Sequence, residues 1–227
     1  MFSRFLRRRR ARSGISAPVL PSLEAYARWA ASYPPHAHNA LMQAEQTALL
    51  ALLPPIEGLR VLDLACGTGR YARLAQARGA QVIGLDNSAA MLKAGALPLS
   101  ALASAEALPL ATGSIDGVIC ALALGHLPSL AAPLAEIGRV LRPGGWALLS
   151  DFHPYMVLAG AARTFTAPDG RTYAVEHYLH SWSDYVAAAT AAGLLFEAAA
   201  EPTLEESAVL VPPVVLIVRL RKPLRAA

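Results

Sequence analysis

The chain has 227 residues, 55% of them hydrophobic and 16% charged, with a formal net charge of +4. This length and balance accommodate one sizeable α/β domain and exclude a disordered chain, which needs low hydrophobicity and high charge. The positive charge is local: six arginines fall within the first twelve residues, and without them 14 basic residues face 16 acidic ones, so no folded basic face for nucleic acid is expected.

Residues 1–20 read as a flexible basic N-terminal tail, and residues 21–227 as a single domain. The tail has the charge of a secretory leader without the apolar stretch that follows in one. Its Phe2, Phe5 and Leu6 leave weak contact with an anionic membrane surface as the alternative to a solvated arm. No apolar run reaches about 18 residues, so a cytoplasmic protein is expected. The two cysteines, Cys66 and Cys120, sit in apolar segments without metal-ligand spacing and read as buried reduced thiols.

Two helices are predicted first, over Ser22–Ala31 with Ser22 as the N-cap and over Ala37–Leu53, stopped by Pro54-Pro55. Strands and helices then alternate. Strands are predicted at Arg60–Leu64, Gln81–Leu85, Ile115–Leu122 and Trp146–Ser150. Helices are predicted at Arg70–Arg78, Ser88–Gly95 and Leu130–Leu141, with Pro143-Gly-Gly145 as a turn. Nearly all-apolar strands between helices indicate a doubly wound, mostly parallel α/β sheet with helices on both faces. After Asp151 the pattern breaks. Residues 152–180 carry aromatics, histidines and the turn signal Ala167-Pro-Asp-Gly170, and read as a hairpin or irregular lid. A helix over Ser183–Ala192 and strands at Leu194–Ala199 and Val214–Leu220 close the chain.

The chemistry concentrates where the first strand meets Ala65-Cys-Gly-Thr-Gly69. Gly67 and Gly69 let backbone N–H groups approach a ligand, and the following helix points its positive end there. A glycine pair alone also fits a dinucleotide. Two acids separate the readings. Asp63, inside the strand, would repel a pyrophosphate and suits an ammonium group. Asp86, ending the next strand, can accept both hydroxyls of a ribose. Together they describe a nucleoside joined to an amino acid.

Val61-Leu-Asp-Leu-Ala-Cys-Gly-Thr-Gly69 resembles the first motif of class I S-adenosylmethionine-dependent methyltransferases. Ser104-Ala-Glu-Ala-Leu-Pro-Leu110, Gly113-Ser-Ile-Asp-Gly-Val118 and Glu136-Ile-Gly-Arg-Val-Leu-Arg-Pro-Gly-Gly145 resemble that family's later motifs, in order. The likeness covers about residues 22–151 and is greatest to the UbiE-like small-molecule branch, with its type 11 methyltransferase domain. It implies a seven-stranded Rossmann-like sheet with the lid inserted after the fifth strand, and S-adenosyl-L-methionine as cofactor. It implies that Asp63, Ala65, Gly67 and Gly69 line the methionine end and that Asp86 holds the ribose. It also places Asn87 and Met91 beside the adenosine, Ala105 and Glu106 at the adenine edge, and Ala121 beneath the cofactor. Ser104 stands where the family often has Asp, so Glu106 or a backbone carbonyl is expected to serve the adenine amine. Tyr26 and Tyr33 are candidates for an aromatic over the cofactor.

Such a cofactor brings an activated methyl, so a base is needed only if the acceptor must lose a proton. His126, after the strand at Ile115–Leu122, is the first candidate base, and His153 the second. His177 and His180 are three apart but follow residues that read as strand, and no metal is expected. The lid aromatics Phe152, Tyr155, Phe165, Tyr173, Tyr178 and Trp182 suggest a small apolar or aromatic acceptor. The competing readings are a nicotinamide-dependent oxidoreductase and a non-catalytic scaffold.

Overall fold

The computed structural model describes residues 17–204 and 211–224. The arginine-rich stretch, on which the tail and membrane-contact readings rest, lies outside these residues. The described chain begins with β1 (Val19–Leu20), α1 (Ser22–Trp29) and α2 (Ala40–Ala51). The alternating part follows as β2 (Arg60–Leu64), α3 (Arg70–Gln76), β3 (Gln81–Asp86), α4 (Ala89–Gly95), β4 (Ser100–Leu102), β5 (Ile115–Ala121), α5 (Ala131–Val140) and β6 (Leu141–Phe152). Then come α6 (Pro154–Leu158), β7 (Thr164–Thr166), β8 (Thr172–Val175), α7 (Trp182–Ala191), β9 (Leu195–Ala200) and β10 (Val215–Arg221).

The main sheet has seven strands in the order β4-β3-β2-β5-β6-β10-β9, and only β10 runs against the rest. The pleat sends alternate side chains to opposite faces, and the sequence supplies apolar residues for both. Leu62, Leu64, Val118, Cys120, Ala147 and Leu149 pack with Leu134 and Ile137 of α5 and Tyr185 of α7. Val61, Ile119 and Leu148 pack with Leu49 of α2 and Tyr71, Ala72 and Ala75 of α3. Asp63 shares the parity of Val61, so it points toward α3.

Several boundaries differ from the sequence expectation for local reasons. Ser22 is the first helical residue rather than the N-cap; Pro21 holds that place without a side-chain bond. Helix α2 starts later because the Asn39 carboxamide oxygen accepts from Met42 N at 2.9 Å and caps it. Strand β4 has three residues, two of them exposed, too short for a readable alternation. Pro143-Gly-Gly145 is a bulge within β6: Ile115 pairs with Leu141 while Gly117 pairs with Trp146, and Gly144 takes φ +78°.

Residues 152–180 form helix α6 and the antiparallel hairpin β7–β8, whose turn closes through Gly170 N to Ala167 O at 2.9 Å. Strand β1 adds to this hairpin, pairing in parallel with β8 through Val19–Ala174 and Leu20–Val175. Val19 and Leu20, assigned by sequence to the tail, therefore belong to the lid. A satellite core of Ala25, Phe165, Ala167, Tyr173 and Val175 joins α1 to the hairpin, with Trp29 stacked on Phe165 at 4.8 Å. Among the described residues, no helix is long and apolar enough to cross a membrane.

Candidate active site

The chain leaves β2 toward β3 and β4 on one side and returns to β5 and β6 on the other. Ligands of open α/β sheets bind at such a switch, beyond the carboxyl ends of the strands. A cavity enclosing about 1040 Å³, counting its open mouth, lies there, with walls that include Asp63, Asp86 and Ala121. Two non-glycine residues at adjoining strand ends, Ala65 (φ +55°) and Leu122 (φ +54°), take the left-handed conformation. Such positions cost about 1–3 kcal/mol each and persist where surroundings enforce them. Leu122 is enforced by its N–H, which bonds Ser150 O at 2.7 Å and Ser150 Oγ at 3.2 Å.

The glycine loop works differently from the expectation. Gly67 N donates to Asp86 Oδ2 at 2.8 Å, and Gly69 N donates to Cys66 O at 2.8 Å. Both N–H groups are engaged inside the loop. Gly67 lines the cavity, where a Cβ would stand 3.1 Å from Met91 Cε. Gly69 does not line it; with φ +85° and a would-be Cβ 2.6 Å from Leu97 Cδ2, it is glycine for turn and packing.

Asp63 is buried, and its Oδ2 accepts Ala72 N at 2.7 Å, in the first turn of α3. The carboxylate thus already occupies the positive end of that helix. Burial pushes its pKa up to about 7 against the pull of the Ala72 bond and of Arg70. The pull from Arg70 is weak because that cation pairs with Glu45 Oε2 at 2.8 Å. Glu45 is fully buried and also accepts Tyr71 OH at 2.8 Å and Ser150 Oγ at 2.6 Å, tying α2 to α3 and β6. Asp63 is left as a buried acid on the cavity wall with no cation of its own among the described residues.

Asp86 is also buried, and burial raises its pKa against backbone bonds from Ser88 and Gly67. Each carboxylate oxygen takes one of those N–H groups, Ser88 N at 2.7 Å and Gly67 N at 2.8 Å, and each keeps capacity for another donor. Asn87, Met91, Ala105, Ala65 and Tyr33 all line the same cavity. Glu106 does not; it is exposed, and Ala103, Ser104 and Ala105 form that wall instead. Cys66 and Cys120 are free, buried and in the wall, where burial pushes both thiols up.

The candidate bases separate clearly. His153 lines neither described cavity: its Nδ1 accepts Tyr155 N at 3.2 Å as the N-cap of α6, and its Nε2 meets Glu201 Oε1 at 3.0 Å. The structure therefore removes it from the candidate bases. His126 lines the cavity, but its Nδ1 lies 2.7 Å from Glu176 O and its Nε2 3.0 Å from Tyr26 OH. The carbonyl can only accept, so Nδ1 carries the proton and Nε2 accepts from the phenol. Burial, then the charge of Arg163, pull His126 down to about 4, and burial raises Tyr26 to about 12. His177 and His180 lie outside any helix; His180 Nε2 is 2.9 Å from Leu127 O.

A second cavity, about 1260 Å³ by the same measure, adjoins the first. The two share Tyr33, Leu122 and Arg163. Trp29, Phe152 and Phe165 line the second, so two of the six lid aromatics face it. Tyr173 is in the satellite core, Tyr155 is exposed, and Trp182 packs on Phe196 with ring centroids 6.0 Å apart. Arg163, Arg70 and Glu45 escaped the sequence reading. Arg70, directly after Gly69, and Arg163, the one charge in an apolar and aromatic stretch, were the available signals.

Residues 62–149 match the family described as a methyltransferase domain. The malonyl-[acyl-carrier protein] O-methyltransferase of Enterobacter lignolyticus is 39% identical over 112 residues, which are 48% of this chain and 45% of that protein. The enzyme of that name from Salmonella typhimurium is 32% identical over 170 residues, 70% of this chain and 66% of its own. The chain spans about half the length of the first of these curated relatives. The crystal structure of an S-adenosylmethionine dependent methyltransferase from Mesorhizobium loti superimposes with a TM-score of 0.66 and 27% identity, covering 78% of this chain and 97% of that one.

Proposed function

The chain belongs to the class I S-adenosylmethionine-dependent methyltransferases, and on that premise we propose that it transfers a methyl group from S-adenosyl-L-methionine to an oxygen of a small acceptor. The observation that carries the cofactor assignment is Asp63, a buried carboxylate on the cavity wall that has no ion pair among the described residues. An ammonium group is the ligand feature that repays that cost. Asp86 accepts ribose hydroxyls with its remaining lone pairs. Asn87 and Met91 flank the adenosine, and the Ala103–Ala105 wall takes the adenine edge. Ala65, Gly67 and Ala121 allow close approach, and Tyr33 covers the site from α1's side.

When bound, the cofactor supplies a methyl already activated on a sulfonium. The protein's part is to align the acceptor and exclude water. The second cavity, with its aromatic wall, is the acceptor's place in this reading. Oxygen as the acceptor atom follows the relatives, which are named O-methyltransferases. The nicotinamide reading loses ground on the loop itself: a pyrophosphate needs free N–H groups, and those of Gly67 and Gly69 are engaged beside an acid.

Calorimetric titration with S-adenosylhomocysteine and with NADH tests the cofactor. Binding of the first alone is expected; tight binding of NADH alone would sink the assignment. Mass spectrometry of extract incubated with the protein and methyl-labelled cofactor then reads the acceptor, as a new species one label heavier.

A further inference from the structure

Arg163 stands between the two cavities and lines both. Its Nη1 is fully engaged: it donates to Tyr26 OH and to Leu122 O at 3.0 Å, and lies 3.3 Å from His126 Nε2. Phe152 presents its ring face 5.0 Å from the guanidinium carbon. Among the described residues, Nε and Nη2 have no protein acceptor and no carboxylate pairs with this cation. Asp151, whose charge acts on Arg163, spends its oxygens on Gly125 N and Phe152 N. One edge of the guanidinium is thus anchored, and the other, the Nε–Nη2 fork, is left over. That fork matches a carboxylate oxygen for oxygen.

We propose that Arg163 is the specificity-determining residue for the acceptor and that it binds a carboxylate, making the acceptor a small carboxylic acid in its ionised form. This rests on the methyl-transfer reading and narrows it. Methyl transfer to such an oxygen forms one O–C bond, breaks one C–S bond, leaves the electron pair on sulfur and releases no proton. No base is required, which suits a site where His126 has both nitrogens engaged. Arg163 is assigned to the acceptor rather than to the cofactor's own carboxylate because, of the two arginines that line the first cavity, it alone also lines the second.

The test saturates the protein with S-adenosylhomocysteine and then titrates benzoate, phenylacetate and hexanoate, each against its carboxamide, by calorimetry. At least one acid is expected to bind about tenfold or more tightly than its amide. Arg163→Met should abolish that preference, and Arg163→Lys, which keeps the charge and loses the fork, should restore part of it. Both variants should bind S-adenosylhomocysteine as the parent does, which also reports that they fold. Amides binding as well as acids, or no acid binding to the parent complex, would overturn the proposal. So would a loss of S-adenosylhomocysteine affinity in Arg163→Met, which would assign the cation to the cofactor. Failure of the parent to bind S-adenosylhomocysteine at all would instead overturn the methyl-transfer reading.

Discussion

The sheet and the lid differ in how much holds each together. The sheet is clasped by two large apolar clusters, one on each face, and by continuous strand ladders. The lid rests on five buried residues and a three-stranded sheet whose outer members have two and three residues. The sheet ends supply Asp63 and Asp86, the groups assigned to the cofactor. The lid and α1 supply Arg163, Phe165 and Trp29, which line the second cavity. In the proposed function the cofactor is met by rigid strand ends and the acceptor by a lightly held layer.

The largest expected effect lies on the sheet side. Glu45→Ala leaves Arg70 buried without its partner and should cost about 3–5 kcal/mol, lowering the thermal midpoint by roughly 2–4 °C per kcal/mol. A cost below about 1 kcal/mol would show that the Glu45 network does not join α2 to the sheet.

Phe165→Ala strikes the lid. It empties the satellite core and should lower lid stability by about 3 kcal/mol, seen as faster amide exchange in β7 and β8. S-adenosylhomocysteine affinity should stay close to that of the parent. Equal acceleration of exchange in β2 and β5 would erase the division between the two regions.

Asp63→Asn should weaken S-adenosylhomocysteine by about 100-fold, near 2.7 kcal/mol, with the fold retained. The same carboxyl sets a pH dependence. Burial lifts it from its ordinary 3.8 to about 7, so the folded empty protein holds a proton there that the unfolded chain has released. Its contribution to stability is therefore lost as pH rises through about 7, whereas ammonium binding needs the ionised form. Cofactor-product affinity should rise about tenfold between pH 6 and 8, half of that rise by pH 7, and level off above about 8. A flat profile in the parent protein would contradict the ammonium role of Asp63, as would the same slope in Asp63→Asn.

The smallest effect is expected at His153. Its replacement by Ala removes the cap of α6 and should cost about 1 kcal/mol, with methyl transfer unchanged. A large drop in turnover at unaltered stability would return it to the active site.

The cofactor half was legible before the structure because its signals are local. Strands β2, β3 and β5 are nearly all-apolar runs, and β2 is placed as expected to the residue. Asp63 and Asp86 were found by their place near strand ends. The purpose of the glycines was read incorrectly: which acceptor an N–H finds depends on where Asp86 and Cys66 stand, and spacing along the chain does not report that. Glu106 looked a better adenine partner than Ser104 by chemistry, but the turn after β4 leaves it exposed, outside the cavity wall.

The family and its cofactor entered through the resemblance of four motifs; the sequence by itself determined the alternation of strands and helices, the two-sided burial of the sheet, and the acid and glycine positions at its carboxyl edge. These follow from periodicity and backbone chemistry acting over a few residues. Only the tertiary structure decided which groups gather around Arg163. Tyr26 and His126 are 100 residues apart, and Arg163 reaches Tyr26 across 137. Two of the groups in that contact change their titration strongly because of burial, which has no counterpart in the order of residues. His126 was picked out as a base from its place after a strand. The fold binds both its nitrogens and leaves the open donors to an arginine of the lid.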